Sequence, residues 1–195
     1  GRWVLSELIS LLRSGEPPRH ALPDDVWGYL KSQLHAEQTN LVSRAWRFKP
    51  DPQDEGLARG WQSPALASEA DWKEIRIGAY WESQGYSALD KWAWYRLRVD
   101  IPEDWKRSEV FLSFEGVDDM YELYVNGAFA GKGGDLATRK DALSEKKSHN
   151  ITRLVTPGQP ALFAVRVHDW LGAGGIFRPV TLGTIPFNPS LDLLK

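Results

Sequence analysis

The chain has 195 residues, 42% hydrophobic and 26% charged, with a formal net charge of −2 at pH 7; this suits one globular domain plus an appendage and is too short for two full domains. It has no cysteine, which excludes disulfides, thiol nucleophiles and thiolate metal sites. The densest basic patch, Lys146-Lys147-Ser148-His149, is short and no apolar run is long enough to cross a bilayer, so neither nucleic acid nor a membrane is an expected partner.

Ten tryptophans are the unusual number, because a flat amphipathic indole suits a binding surface as well as a core. The chain opens on Gly1 and reads as a piece of a longer polypeptide, so its compartment is not legible in it. Leu5, Leu8, Ile9 and Leu12 share one helical face, and Gly15, Pro17 and Pro18 end that element. Pro23-Asp24-Asp25 caps a second helix with Trp27, Leu30, Leu34 and Leu41 down one side. Residues 1–43 are thus expected to be a helical segment, either closing one side of the following domain or forming the tail of an upstream one.

From Arg44 onward the period changes. Residues 95–101 (Tyr-Arg-Leu-Arg-Val-Asp-Ile) alternate apolar and charged side chains, which places one set on each face of a strand. The sets Val110, Leu112, Phe114; Tyr121, Leu123, Val125; and Ala161, Phe163, Val165, Val167 repeat that pattern. Turn formers separate them, among them Asn126-Gly127, a hairpin signal because both residues accept positive φ. Residues 49–68 read mostly as loop. Short half-buried strands without long helices between them predict a mainly β fold, an antiparallel β-sandwich over residues 44–195.

Four pieces in order resemble the sugar-binding domain of glycoside hydrolase family two, the β-galactosidase and β-glucuronidase group. They are the Tyr80-Trp81-Glu82-Ser83-Gln84-Gly85-Tyr86 loop; Trp94-Tyr95-Arg96 with the Ile101-Pro102-Glu103-Asp104-Trp105 turn; Phe114-Glu115-Gly116-Val117-Asp118-Asp119 through Tyr124-Val125-Asn126-Gly127; and the closing strands up to Gly174-Gly175-Ile176-Phe177-Arg178-Pro179-Val180. The resemblance implies a jelly-roll sandwich of the galactose-binding-domain type, without catalytic residues of its own, whose loops reach toward an active site supplied by a separate catalytic domain. It also implies a secreted, periplasmic or cell-surface address. The polar connection over residues 131–147 is long for the family, and Asn150 stands where Asp is common.

The residues themselves display no catalytic machinery. Glycoside hydrolysis takes two carboxylates about 5–10 Å apart, and no acid–base pair stands out among Glu82, Asp90, Glu115, Asp118, Asp119, Glu122 and Asp169. Asp118-Asp119, after Gly116, reads as a turn pair bonding nearby amides. The four histidines are scattered and no metal site is predicted; His168 and Asp169 are adjacent on a strand and point to opposite faces. No cofactor is expected. The resemblance leaves a structural calcium open, yet the sequence displays no set of the six to eight oxygens that calcium takes.

A sugar presents an apolar C–H face and a ring of hydroxyls, so its site pairs a flat aromatic with fixed polar partners. The candidate carbohydrate-binding residues are Trp81, Glu82, Gln84, Tyr86, Trp92, His168, Asp169, Trp170 and Arg178. Trp94 and Tyr95 are read as core. Trp81, Trp92 and Trp170 are expected to share one solvent-open face. Arg178 is expected to tie the last strand to a carboxylate such as Asp118 or Asp169, direct contact with a sugar hydroxyl being the alternative. The chain is therefore expected to be a non-catalytic carbohydrate-binding module with an oligo- or polysaccharide and a catalytic domain as partners; the alternative is a structural accessory sandwich that binds no sugar.

Overall fold

The computed structural model describes residues 37–184. Two antiparallel sheets carry them. The smaller has the order β1 (Gln38–Asn40), β10 (Val180–Gly183), β5 (Phe111–Phe114), β8 (Lys147–Asn150). The larger has the order β3 (Lys73–Ile75), β2 (Trp46–Asp51), β4 (Trp92–Asp100), β9 (Pro160–His168), β6 (Met120–Val125), β7 (Ala128–Gly133). The fold is the antiparallel sandwich that the alternation predicts. Its main core lies between the sheets, with Phe48, Tyr95, Leu97, Phe114, Tyr121 and Phe163 among its residues. The Asn126-Gly127 turn sits as expected between β6 and β7, with φ of 49° and 88°. Asn126 does more than turn: its Oδ1 accepts from the Leu162 amide at 2.8 Å and its Nδ2 donates to the Leu154 carbonyl at 2.8 Å.

The sandwich begins earlier than residue 44. β1 pairs with β10 from Gln38↔Gly183 to Asn40↔Thr181. Leu41, expected on the apolar side of a second helix, is fully buried in the sandwich core instead. The hydrophobic stripe misassigned it because one apolar residue at helical spacing also serves as the first inward residue after a strand. The rest of the expected helical segment lies outside the described residues.

β4 explains a second departure. Ala93, Tyr95, Leu97 and Val99 face the main core, while Trp94 and Arg96, on the opposite face, are buried as well. Residues 49–68 are expected to be mostly loop, yet residues 49–51 finish β2. Residues 52–72 contain no regular strand but cover that outer face. Trp61 and Trp72 from this segment pack with Trp94, Tyr124 and Ala164 into a second, smaller core, Trp61 edge-on to both Trp72 and Trp94. Polar groups pin it there. Buried Asp51 accepts from Trp94 Nε1 at 2.9 Å and from the amides of Glu55 and Gly56 at 2.8 and 2.9 Å. Arg96 donates to the Trp61 and Ser63 carbonyls and pairs with Glu69 at 2.7 Å. Arg166 pairs with Asp54 and, at 3.1 Å, with Glu122.

A lysine at position 96 would keep the charge and lose the planar fork that reaches three partners at once. Arg96→Lys is expected to cost roughly 2 kcal/mol of stability, since it strands buried carbonyls, and to red-shift tryptophan emission as the 52–72 cover loosens. An unchanged melting temperature with unchanged emission would contradict this account of the second core.

Candidate functional site

Three loops meet at the end of the sandwich where β9 finishes. His168 ends β9 and the segment after it carries Asp169-Trp170 and Gly174-Gly175; residues 116–119 precede β6; residues 78–86 precede β4. Backbone bonds lace them together. Gly78 donates to the Ile176 carbonyl at 2.8 Å and Trp81 to that of Gly174 at 3.0 Å. Asp118 and Gly175 exchange both backbone bonds, and Asp119 donates to the His168 carbonyl at 3.0 Å. Side chains complete the lacing: Asp119 Oδ2 accepts from the Trp170 amide at 2.8 Å, Asp169 Oδ1 from Leu171 at 3.0 Å, and Glu82 Oε2 from Gly174 at 3.1 Å.

The two glycines of the GGIFRPV stretch are required here by space. A Cβ on Gly174 would stand inside contact distance of the Trp81 indole and of Asp169, and one on Gly175, whose φ is 113°, would meet the Tyr95 hydroxyl at 2.6 Å. The absent side chains make room for Trp81, which is fully buried in the main core against Phe48.

Asp118, Asp119 and Asp169 bring one carboxylate oxygen each within 4.8 Å of the others. Asp118 and Asp169 are buried. Burial first, and then the neighbouring Asp119, pushes the Asp118 carboxyl up to about 8. Burial also raises Asp169 to about 7, with Asp119 adding to it. Adjacent carboxylates in a desolvated place cannot all ionise cheaply, so they hold protons toward neutrality. Their spacing is one that a single hard cation would bridge, although three carboxylates supply only part of the oxygen shell calcium takes. Burial likewise lowers the His168 pKa, which favours a neutral imidazole.

Eight buried side-chain polar atoms among the described residues lack a hydrogen-bond partner, and five of them gather here: Trp81 Nε1, Glu82 Oε1, His168 Nδ1, Asp169 Oδ2 and Trp170 Nε1. Buried polar atoms are normally satisfied, so a local cluster without protein partners distinguishes this end of the domain. Next to them the surface is apolar. Leu171 is 82% exposed, and the Tyr80 and Phe177 rings stack with centroids 4.9 Å apart.

The sequence-derived candidates divide. Glu82, His168, Asp169 and Trp170 come together at this end. Gln84 instead clasps the backbone of Arg76, accepting from its amide and donating to its carbonyl at 2.9 Å each. Tyr86 packs edge-on against Phe48. Trp92 is buried on the outer face of the larger sheet, under the Arg166 guanidinium at 3.7 Å and edge-on to His168. The expectation that Trp81, Trp92 and Trp170 share an open face is therefore corrected: Trp81 lies between the sheets, Trp92 lies outside one of them, and Trp170 is half-buried. Trp81 fills space that Gly174 and Gly175 leave, and Trp92 is covered by Arg166 and His168. Arg178 ties no carboxylate among the described residues; it is exposed, with its guanidinium 5.3 Å from the centre of its own neighbour Phe177. Asp118 is instead joined to the 174–180 stretch through the Gly175 backbone. Asp118 and Asp119, read as a turn pair, are site residues the sequence reading missed. Their only signal was two adjacent carboxylates beside an Asp at the end of a neighbouring strand.

Because the folded chain holds Asp118 and Asp169 protons that the unfolded chain releases near the ordinary carboxylate range, their contribution to stability is full below about pH 4 and is lost as pH rises through about 7 to 8. Neutral His149, lowered to about 4 by burial, acts in the opposite sense, its contribution fading as pH falls from about 6.5 to 4. The expected result is therefore a difference between chains: thermal melts from pH 5 to 8.5 should show the wild type losing stability relative to Asp118→Asn/Asp169→Asn as pH rises. Parallel curves would refute proton retention by the cluster.

The family model described as "Glycosyl hydrolases family 2, sugar binding domain" matches residues 87–186. The chain is 24% identical to a β-galactosidase of Priestia megaterium, with 93% of this chain and 19% of that protein aligned. It is 29% identical to a β-galactosidase of Arthrobacter sp., with 84% and 20% aligned. The crystal structure of Ruminococcus gnavus β-glucuronidase in complex with uronic isofagomine superposes with a TM-score of 0.65 at 16% identity, over 77% of this chain and 28% of that one. The chain thus spans about a fifth of the length of these curated relatives, and the structural likeness supports the fold. With half of its residues matched by that family model, the chain belongs to glycosyl hydrolase family 2 through its sugar binding domain.

Proposed function

We propose that this domain is a non-catalytic part of a longer glycoside hydrolase, and that its acidic end recognises a glycan beside a catalytic domain. The observation that carries the reading is the gathering of five unpartnered buried polar atoms around Asp118, Asp119 and Asp169. Sugar hydroxyls both donate and accept, so a pyranose edge meets carboxyl oxygens and an indole N–H with the partners they lack. The half-buried Trp170 and the exposed Leu171 supply the apolar side of such a contact. Polar groups thus carry recognition, in place of an open aromatic platform. The adjoining Tyr80–Phe177 stack and Leu171 suit contact with a catalytic domain, since exposed apolar surface of this kind marks an interaction face. A secreted, periplasmic or cell-surface address is proposed with this reading. Among the described residues no helix is long and apolar enough to cross a membrane.

Burial of Trp81 and Trp92 favours a second reading, in which the sandwich only supports its neighbour and touches no sugar. The two separate in one experiment. The purified chain is titrated calorimetrically with galactose- and glucuronate-containing oligosaccharides, with release of nitrophenol from the matching aryl glycosides followed in parallel. The expected result is weak binding, about millimolar to micromolar, reduced about tenfold by Asp169→Asn as a carboxyl partner of the sugar hydroxyls is lost, with no nitrophenol released. Absence of binding to every sugar would leave the supporting role, and turnover by the purified chain would overturn the non-catalytic assignment.

A further inference from the structure

At the other end of the larger sheet, on its outer face, four arginines line one cleft. Arg47 on β2 lies directly across from Arg96 on β4, with Arg98 two residues further along the same strand and Arg44 just before β2. These four, with Glu69 and Leu162, wall a cavity of about 390 Å³. Glu69 is the one carboxylate in that lining, so four guanidinium charges face one negative charge. This cleft is remote from the acidic end: Leu162 lines it, and β9 runs six residues from there to His168, roughly 20 Å at strand rise.

The donors divide into two sets. Arg96 spends its guanidinium on Glu69 and on the carbonyls of Trp61 and Ser63, and so forms the fixed inner wall. Arg47 commits Nη2 to the carbonyls of Trp72 at 2.6 Å and Glu69 at 3.0 Å, which leaves Nε and Nη1. Arg98 commits Nη2 to the Pro64 carbonyl at 3.1 Å, which leaves the rest of its fork. Arg44 is exposed and takes part in no side-chain hydrogen bond or ion pair among the described residues. Several planar donors in a cleft of one charge sign form the pattern that bidentate recognition of an oxyanion requires. The volume lies in the lower part of the range of about 300–1,000 Å³ that holds small ligands, more room than a bare tetrahedral anion fills.

We infer that this arginine cleft is an oxyanion site, taking a sulfate ester or carboxylate carried on a saccharide, or the free inorganic anion of the same chemistry. It does not rest on the acidic end as a sugar site. Its distance from Asp118, Asp119 and Asp169 lets an anionic group settle without meeting their charge.

The test uses the whole 195-residue chain and three probes: a sulfated galactan oligosaccharide, its desulfated counterpart, and inorganic sulfate. Arg44→Gln/Arg98→Gln is the working variant, since both side chains are exposed and its melting temperature should match wild type. Arg139→Gln, exposed on another loop, is the charge-matched control. The sulfated oligosaccharide should bind at least about tenfold more tightly than the desulfated one, lose about tenfold in the double variant but not in the control, and weaken as salt rises. Inorganic sulfate binding as well as the oligosaccharide, with the same loss in the variant, would support the site and assign it to the free anion. Asp169→Asn should leave anion binding unchanged, so failure of the acidic-end reading would not be mistaken for failure here. Equal binding of sulfated and desulfated oligosaccharide, an unaffected double variant, or no anion binding at all would overturn the proposal.

Discussion

The end of the sandwich is organised by the burial of one indole. Trp81 can reach the main core because Gly174 and Gly175 have no side chains to occupy its place, and its amide then bonds the Gly174 carbonyl. That seat fixes residues 78–86 against the segment after β9. Through the paired backbone bonds of Gly175 and Asp118, it also fixes the carboxylates. Without it the three acidic groups would have no reason to converge, because their mutual repulsion and desolvation oppose it. Packing holds together here what electrostatics would separate.

The domain consequently has two polar ends of opposite character on one rigid sheet. At one end Asp118, Asp119 and Asp169 sit among unpartnered acceptors and indole donors; at the other, four arginines share a cleft with a single carboxylate. The second core between them, from Trp61, Trp72 and Trp94, stiffens the outer face on which the arginines lie. Arg96 belongs to both, since it clamps the 52–72 segment and forms the cleft wall. Groups built into a sheet hold their geometry better than groups on free loops.

Much of this was legible in the chain. The alternation over residues 95–101, the Asn126-Gly127 turn and the family motifs give the sandwich, and His168-Asp169-Trp170 falls beside the Asp118-Asp119 carboxylates. What failed has physical causes. Alternation distinguishes one buried face from one wet face, so a strand buried on both, as the first part of β4 is, conceals which tryptophan points where. A loop composition over residues 49–68 says that little regular strand forms there, and says nothing about whether the segment covers a sheet. Gly174-Gly175 was readable as a turn, but the indole it accommodates lies more than ninety residues earlier in the sequence. Spacing places Leu41 on a helix, and tertiary packing places it in the sandwich core; Arg178 stays exposed beside Phe177.

We read this end of the domain as a polar surface that a sugar engages beside Trp170 and the three carboxylates. Indole N–H resonances report it directly, because Trp81 and Trp170 carry unpartnered Nε1 atoms there, while Trp94 already donates to Asp51 on the outer face. In a ¹⁵N-labelled chain titrated with a bound oligosaccharide, the Trp170 indole signal should move first and furthest, with Trp94 unmoved. Shifts confined to the outer-face indoles, with Trp170 stationary at saturation, would contradict the account.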